Sequence, residues 1–255
     1  FSYQQAQSLM KHLILSVVAM VLYSCSTMFS VSAQSAAIAI DGLFDDWDSN
    51  LTTVTDESDQ KADLNLIEMQ VTNDSDFLFV RIRAEEEFDL TDKLMTQGLI
   101  LCIDADNKAA TGKNIKTGFG AELMVYFKDR FVEYHGSSYS KVGFSSISMR
   151  SAPTVTSNQF EIAISRHSIP DGNTKLFTSG TIKILAMDTL SGDVLPTDEK
   201  GLNYTFDNTP VPAKTPVDLK KTQSDHLRML AYNVERDAIS QSGKQPHFKK
   251  IITAL

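Results

Sequence analysis

The middle of this 255-residue chain predicts an all-β fold, an antiparallel β-sandwich. Three observations predict it. Short apolar, β-prone runs recur from Ala37 to Phe206, and Gly, Asn, Asp and Ser break them at close intervals. Helical periodicity is weak throughout. Roughly ten short strands at such spacing suit two packed antiparallel sheets better than any helical design.

Taken in order, Ala37–Ile40 leads in. Leu66–Thr72 and Phe77–Arg83 flank Asn73-Asp74-Ser75-Asp76, turn chemistry that predicts a hairpin. Along the second of these strands, Phe77, Phe79 and Arg81 share one face and Leu78, Val80 and Ile82 the other. Leu99–Ile103, Glu122–Phe127, Phe131–Tyr134, Val142–Met149, Phe160–Ser165 and Ile182–Met187 complete the expected strands. Residues 207–225 (DNTPVPAKTPVDLKKTQSD) carry three prolines and little that is apolar, which reads as a semi-extended linker. The expected domains are therefore residues 34–206 for the sandwich and 226–255 for a second unit.

The net charge of −8 conceals a split. Residues 34–218 hold 16 Lys/Arg against 29 Asp/Glu, whereas residues 219–255 hold 7 against 3. An acidic sandwich is the wrong sign for gripping phosphate backbones, so no nucleic-acid contact is expected there. It suits cation binding or solubility. Residues 1–33 read as upstream residues (Phe1–Leu9) and an export signal starting at Met10-Lys11. Leu13–Tyr23 is its apolar stretch and Val31-Ser32-Ala33 its cleavage pattern. The apolar run is short of the ~20 residues that a membrane span needs, so no transmembrane span is expected. A secreted, periplasmic or cell-surface location follows, with lipoprotein anchoring through Cys25 as the alternative. Cys102 lies in an apolar run and reads as a small buried hydrophobe.

Ile40-Asp41-Gly42 followed by Phe44-Asp45-Asp46-Trp47 resembles the I-D-G-x-x-D-x-x-W opening of family-nine carbohydrate-binding modules and related DOMON-like sandwiches. Asn73–Arg81 and Leu101–Gly112 are similar to that family's hairpin and D-a-D-n…G loop. The resemblance covers most of residues 38–206. It implies a β-sandwich, a possible carbohydrate ligand, and a structural cation in the loop.

The residues of that loop carry their own argument. Asp104 and Asp106 straddle Ala105 at the end of an apolar strand, with Asn107, Thr111 and Gly112 after them. Oxygen donors at alternate positions are what a hard cation such as calcium collects; the alternative is a solvated Asp/Asn turn. Trp47 reads as packing the sandwich end, not as a sugar platform. The four histidines beyond residue 33 (His135, His167, His226, His247) show no zinc spacing. Asp56, Glu57, Asp59 and Asp63 form an acidic loop, and Glu85-Glu86-Glu87 an acidic, solvated edge.

Leu227–Val234 (LRMLAYNV) reads as a buried strand, and Phe248–Leu255 (FKKIITAL) begins an amphipathic helix. This pair resembles the opening of the endonuclease/exonuclease/phosphatase superfamily. The resemblance implies that Asn233 helps hold a metal-bound phosphate, and that a following strand, beyond Leu255, supplies a glutamate to magnesium. It also implies a phosphate-ester substrate for the full-length protein and no hydrolysis by this segment alone. The alternative is an ordinary buried strand with Asn233 as a turn former. Two functions follow: a fragment of a secreted metal-dependent phosphoesterase or nuclease-like hydrolase carrying a carbohydrate-binding-type sandwich, or a carbohydrate-binding or purely structural sandwich with no activity.

Overall fold

The computed structural model describes residues 35–56, 64–90, 98–212 and 223. The chain divides into one unit ending at Pro212 and a second from Ala213 to Leu255. Apart from residue 223, the second unit, with Asn233, the expected hydrolase strand and most of the expected linker, lies outside the described residues, as does the export segment.

The first unit is an antiparallel β-sandwich. One sheet has the order β1 (Thr52–Thr55), β2 (Leu66–Asn73), β3 (Phe77–Phe88), β11 (Ser157–Ser165) and β10 (Arg150–Ala152). The second runs β13 (Val194–Leu195), β12 (Thr181–Asp188), β4 (Leu99–Asp104), β7 (Leu123–Tyr126), β8 (Phe131–His135) and β9 (Tyr139–Val142). Strand β14 (Leu202–Thr205) also pairs with β12. A separate hairpin, β5 (Lys113–Lys116) and β6 (Phe119–Ala121), stands beside the second sheet.

Alternation explains the layers. Leu78, Val80 and Ile82 of β3 point inward with Phe160, Ile162 and Ile164 of β11. They meet Leu101 and Ile103 of β4, Val125 of β7 and Ile184 of β12 from the opposite sheet. Each such side chain contributes ~1.5–3 kcal/mol when fully buried. The opposite face of β3 carries Phe77, Phe79 and Arg81, as alternation predicts. Phe77 and Phe79 are covered there by Ile38, Trp47 and Leu51 of the N-terminal segment.

The Asn73–Asp76 turn closes the β2–β3 hairpin as expected. Asp74 Oδ1 accepts the N–H groups of Asp76 at 2.8 Å and Phe77 at 2.7 Å. Two expectations differ from the structure. Residues 142–149 are not one strand: β9 ends at Val142, and Gly143 leads into a 3-10 turn, Phe144–Ile147, stopped by Ser148 at φ 48°. Ala37–Ile40 pairs with no strand among the described residues and is held by side chains, Asp46 Oδ2 accepting the N–H of Ala39 at 2.8 Å. Beyond the expected boundary at Phe206, Asp207 stays bonded to the sandwich. Its Oδ2 accepts the N–H of Ser35 at 3.1 Å, and its own N–H donates to Asn73 Oδ1 at 3.0 Å.

Candidate metal centre

Strand β4 is apolar along its whole length and ends on Asp104, so the chain leaves the core carrying a carboxylate that the sheet has desolvated. Asp104 is fully buried, and its Oδ1 accepts the N–H of Lys108 at 2.9 Å. Asp106 Oδ1 accepts that same N–H at 3.0 Å and the Thr111 hydroxyl at 2.9 Å. Asn107 supplies the left-handed residue of this turn, at φ 58°, and is exposed.

The loop then folds back onto the junction of β6 and β7. Gly112, at φ 67°, allows this, because a Cβ there would lie 2.5 Å from the Ala121 carbonyl. The approach puts Glu122 beside the two aspartates, its Oε2 accepting the N–H of Ala105 at 2.8 Å. One carboxylate oxygen from each of Asp104, Asp106 and Glu122 lies within 4.8 Å of the others. Oxygens that far apart can share one ion at the ~2.4 Å typical of calcium.

Asp104 and Asp106 were legible as a pair in the sequence. Glu122 was not, since 18 residues separate it from Asp104. Its signal was a lone acid inside the apolar run GFGAELMVYF, where a charge is rarely buried without a partner.

The carboxylates of this cluster are poorly compensated. Asp104 Oδ2 and Glu122 Oε1 are buried and accept no hydrogen bond. The nearest cation to Asp104 Oδ2 is Lys183 Nζ, at 4.0 Å, and that ammonium already donates to the Gly118 carbonyl at 3.1 Å. Burial pushes both Asp104 and Glu122 above the ordinary carboxylate range, and Asp106 adds like-charge repulsion to each.

Asp106 and Glu122 also line a cavity of about 280 Å³, whose other walls include Tyr134, Ser137, Thr174 and Thr178. Trp47 is not at this site. It is 7% exposed, packs on the outer face of the first sheet instead of the sandwich end, and donates from Nε1 to Glu161 Oε2 at 3.1 Å. Among the described histidines, His135 bonds Glu133 at 3.1 Å and His167 bonds Asp76 at 3.1 Å, on separate parts of the surface. Cys102 is buried, and burial pushes its thiol up to about 12, so it is an inert packing residue as expected.

The class of protein these features define is a β-sandwich with an acidic, strand-end loop opening on a polar pocket. No protein-family model matches the sequence, and no curated protein matches it. Among solved structures, the chain is similar to a family 9 carbohydrate-binding module from Caldicellulosiruptor kristjanssonii in complex with glucose. The likeness has TM-score 0.41 and 9% identity, covering 72% of this chain and 98% of that one. It is also similar to a family 9 module from the same organism in complex with cellotriose, at TM-score 0.37 and 9% identity, covering 68% and 80%.

Proposed function

We propose that the sandwich is a non-catalytic, carbohydrate-binding-type module whose Asp104, Asp106 and Glu122 hold a calcium ion. The observation that carries the cation is the pair of buried carboxylate oxygens, on Asp104 and Glu122, that no hydrogen bond satisfies. A desolvated carboxylate without a partner is costly, and a divalent ion bound by both oxygens offsets that cost. Calcium suits a carboxylate cluster that strips water from its ion, whereas magnesium dehydrates reluctantly. The carbohydrate class is supported by the Ile40–Trp47 motif and by a pocket walled largely with hydroxyl and carboxylate groups. Export by residues 1–33 belongs to the same reading, because extracellular calcium modules work with weak sites. The phosphoesterase reading, with Asn233 and magnesium, rests on residues 226–255 alone.

Calorimetric titration of the full chain with calcium tests the proposal. One site is expected, with Kd on the order of 10⁻⁴–10⁻³ M as in extracellular modules, lost in Glu122→Gln. A trace with no binding at millimolar calcium sinks the cation reading.

A further inference from the structure

We infer that the pocket beside Asp106 and Glu122 binds one neutral sugar ring, through two adjacent hydroxyls that complete the coordination of the triad's cation. This rests on the calcium reading above and adds a ligand and a mode of binding to it.

Coordination number is the first argument. Calcium takes six to eight oxygens, more than one oxygen from each of three carboxylates provides. Asp104 is fully buried and Glu122 only 6% exposed, so protein closes the interior side of the ion. Asp106 and Glu122 line the cavity, so the coordination positions left over face it. An ion at the triad is therefore reachable by a ligand from one direction.

Charge selects the kind of oxygen. Three carboxylates balance a divalent ion plus the Lys183 ammonium, which stands 4.0 Å from Asp104. The ion's own shell therefore carries no excess positive charge. Lys175 and His135 also line the cavity, but Lys175 is exposed to solvent and His135 is paired with Glu133, so neutral hydroxyl oxygens fit the ion best. The remaining walls agree, since Ser137, Thr174, Thr178 and the Tyr134 phenol offer hydroxyls that can donate and accept. Ser137 Oγ and Thr174 Oγ1 already stand 3.4 Å apart, a second patch for a sugar's further hydroxyls. Tyr134 is only 2% exposed, so it presents no open ring face for stacking. Affinity must then come through the ion and the hydroxyls. At about 280 Å³ the cavity is just below the ~300–1,000 Å³ of drug-sized sites, a volume suited to one ring and not to an oligosaccharide.

The experiment is calorimetric titration of the full chain with the methyl glycosides of glucose, galactose, mannose and glucuronic acid, in calcium and in EDTA. It is repeated on Thr178→Trp, an exposed position on the pocket wall outside the triad, whose enlargement narrows the cavity. At least one neutral glycoside is expected to bind in calcium and to weaken by about tenfold or more in EDTA, a change of roughly 1.4 kcal/mol. Thr178→Trp is expected to keep calcium binding and lose the sugar. Failure to bind calcium overturns the reading beneath. Normal calcium binding with every glycoside silent overturns this inference alone and leaves the cation structural. Sugar binding that survives EDTA, or survives Thr178→Trp, places the ligand elsewhere and overturns it too. Preference for the glucuronide overturns the neutral-diol assignment.

Discussion

Two buried acidic corners of the sandwich differ in what meets their carboxylates. At the first, Glu161 on β11 is fully buried, and both of its oxygens are occupied. Oε1 accepts the N–H groups of Asp41 at 2.7 Å and Gly42 at 2.6 Å, and Oε2 accepts the Trp47 indole at 3.1 Å. The Ile40–Trp47 motif is therefore a clasp: its backbone and indole close on one glutamate and pin the N-terminal segment to the first sheet. At the second corner, Asp104 and Glu122 each keep one buried oxygen without a hydrogen bond. Burial raises the carboxyls of Glu161, Asp104 and Glu122 alike. The two corners differ in the count of donors that meet their carboxylates, not in the depth of burial.

Removing the acid at each corner should have opposite effects. Glu161→Ala leaves the buried Trp47 indole without an acceptor, at ~1–3 kcal/mol, and the part-buried N–H groups of Asp41 and Gly42 at less, before the relief of desolvation is subtracted. A net loss of about 2–4 kcal/mol is expected by urea unfolding, the same in calcium and in EDTA. Calcium sensitivity of that loss would break the comparison by tying the clasp to the ion. Glu122→Gln, measured in EDTA, should be neutral or stabilising by up to ~1 kcal/mol, since it removes a buried charge from beside two others. In calcium the same substitution should be destabilising by what the ion supplies through linkage, ~2.7 kcal/mol at a hundredfold excess over Kd. Destabilisation of Glu122→Gln in EDTA, as large as that of Glu161→Ala, would show that both corners are merely structural.

Much of the fold was legible because its signals are local. The Asn73–Asp76 turn is written in Asp74, which bonds residues two and three positions on. The faces of β3 follow from alternation, and the apolar run of β4 announced both its burial and that of Cys102. What was missed lacks a signal of that kind. Strands β1, β13 and β14 are short edge strands with few apolar residues to show them, and each exists because a longer neighbour offers a ladder. Residues 142–149 carry strand-like apolar residues, but Gly143 and Ser148 divide them into a turn. The site was half legible. Asp104 and Asp106 are neighbours in sequence, whereas Glu122 arrives only through the β6–β7 junction and the close approach that Gly112 permits.

The finest test of the comparison uses a third carboxylate. Asp207 receives donors of the same kind as Glu161, the N–H groups of Thr209 at 2.8 Å and Ser35 at 3.1 Å, but it stands at the surface. Its hydrogen bonds to Thr209, then to Ser35, hold it down at about 2, against an ordinary 3.8. Glu161 moves the other way, because burial outweighs its donors. The signs of their pH dependence are therefore opposite. Asp207 contributes stability that is fully present above pH 3.8 and is lost as pH falls through about 2. Glu161, raised above its ordinary 4.5, contributes least at neutral pH and gains as acidification carries it through its folded value toward 4.5. Melting curves in EDTA should show Asp207→Asn flattening the acid limb below pH 3.8 and leaving pH 5–7 unchanged, whereas Glu161→Gln alters the slope only above pH 4.5. If both variants act on the same limb, burial fails to distinguish these two carboxylates, and the donors they share alone set how each responds to acid.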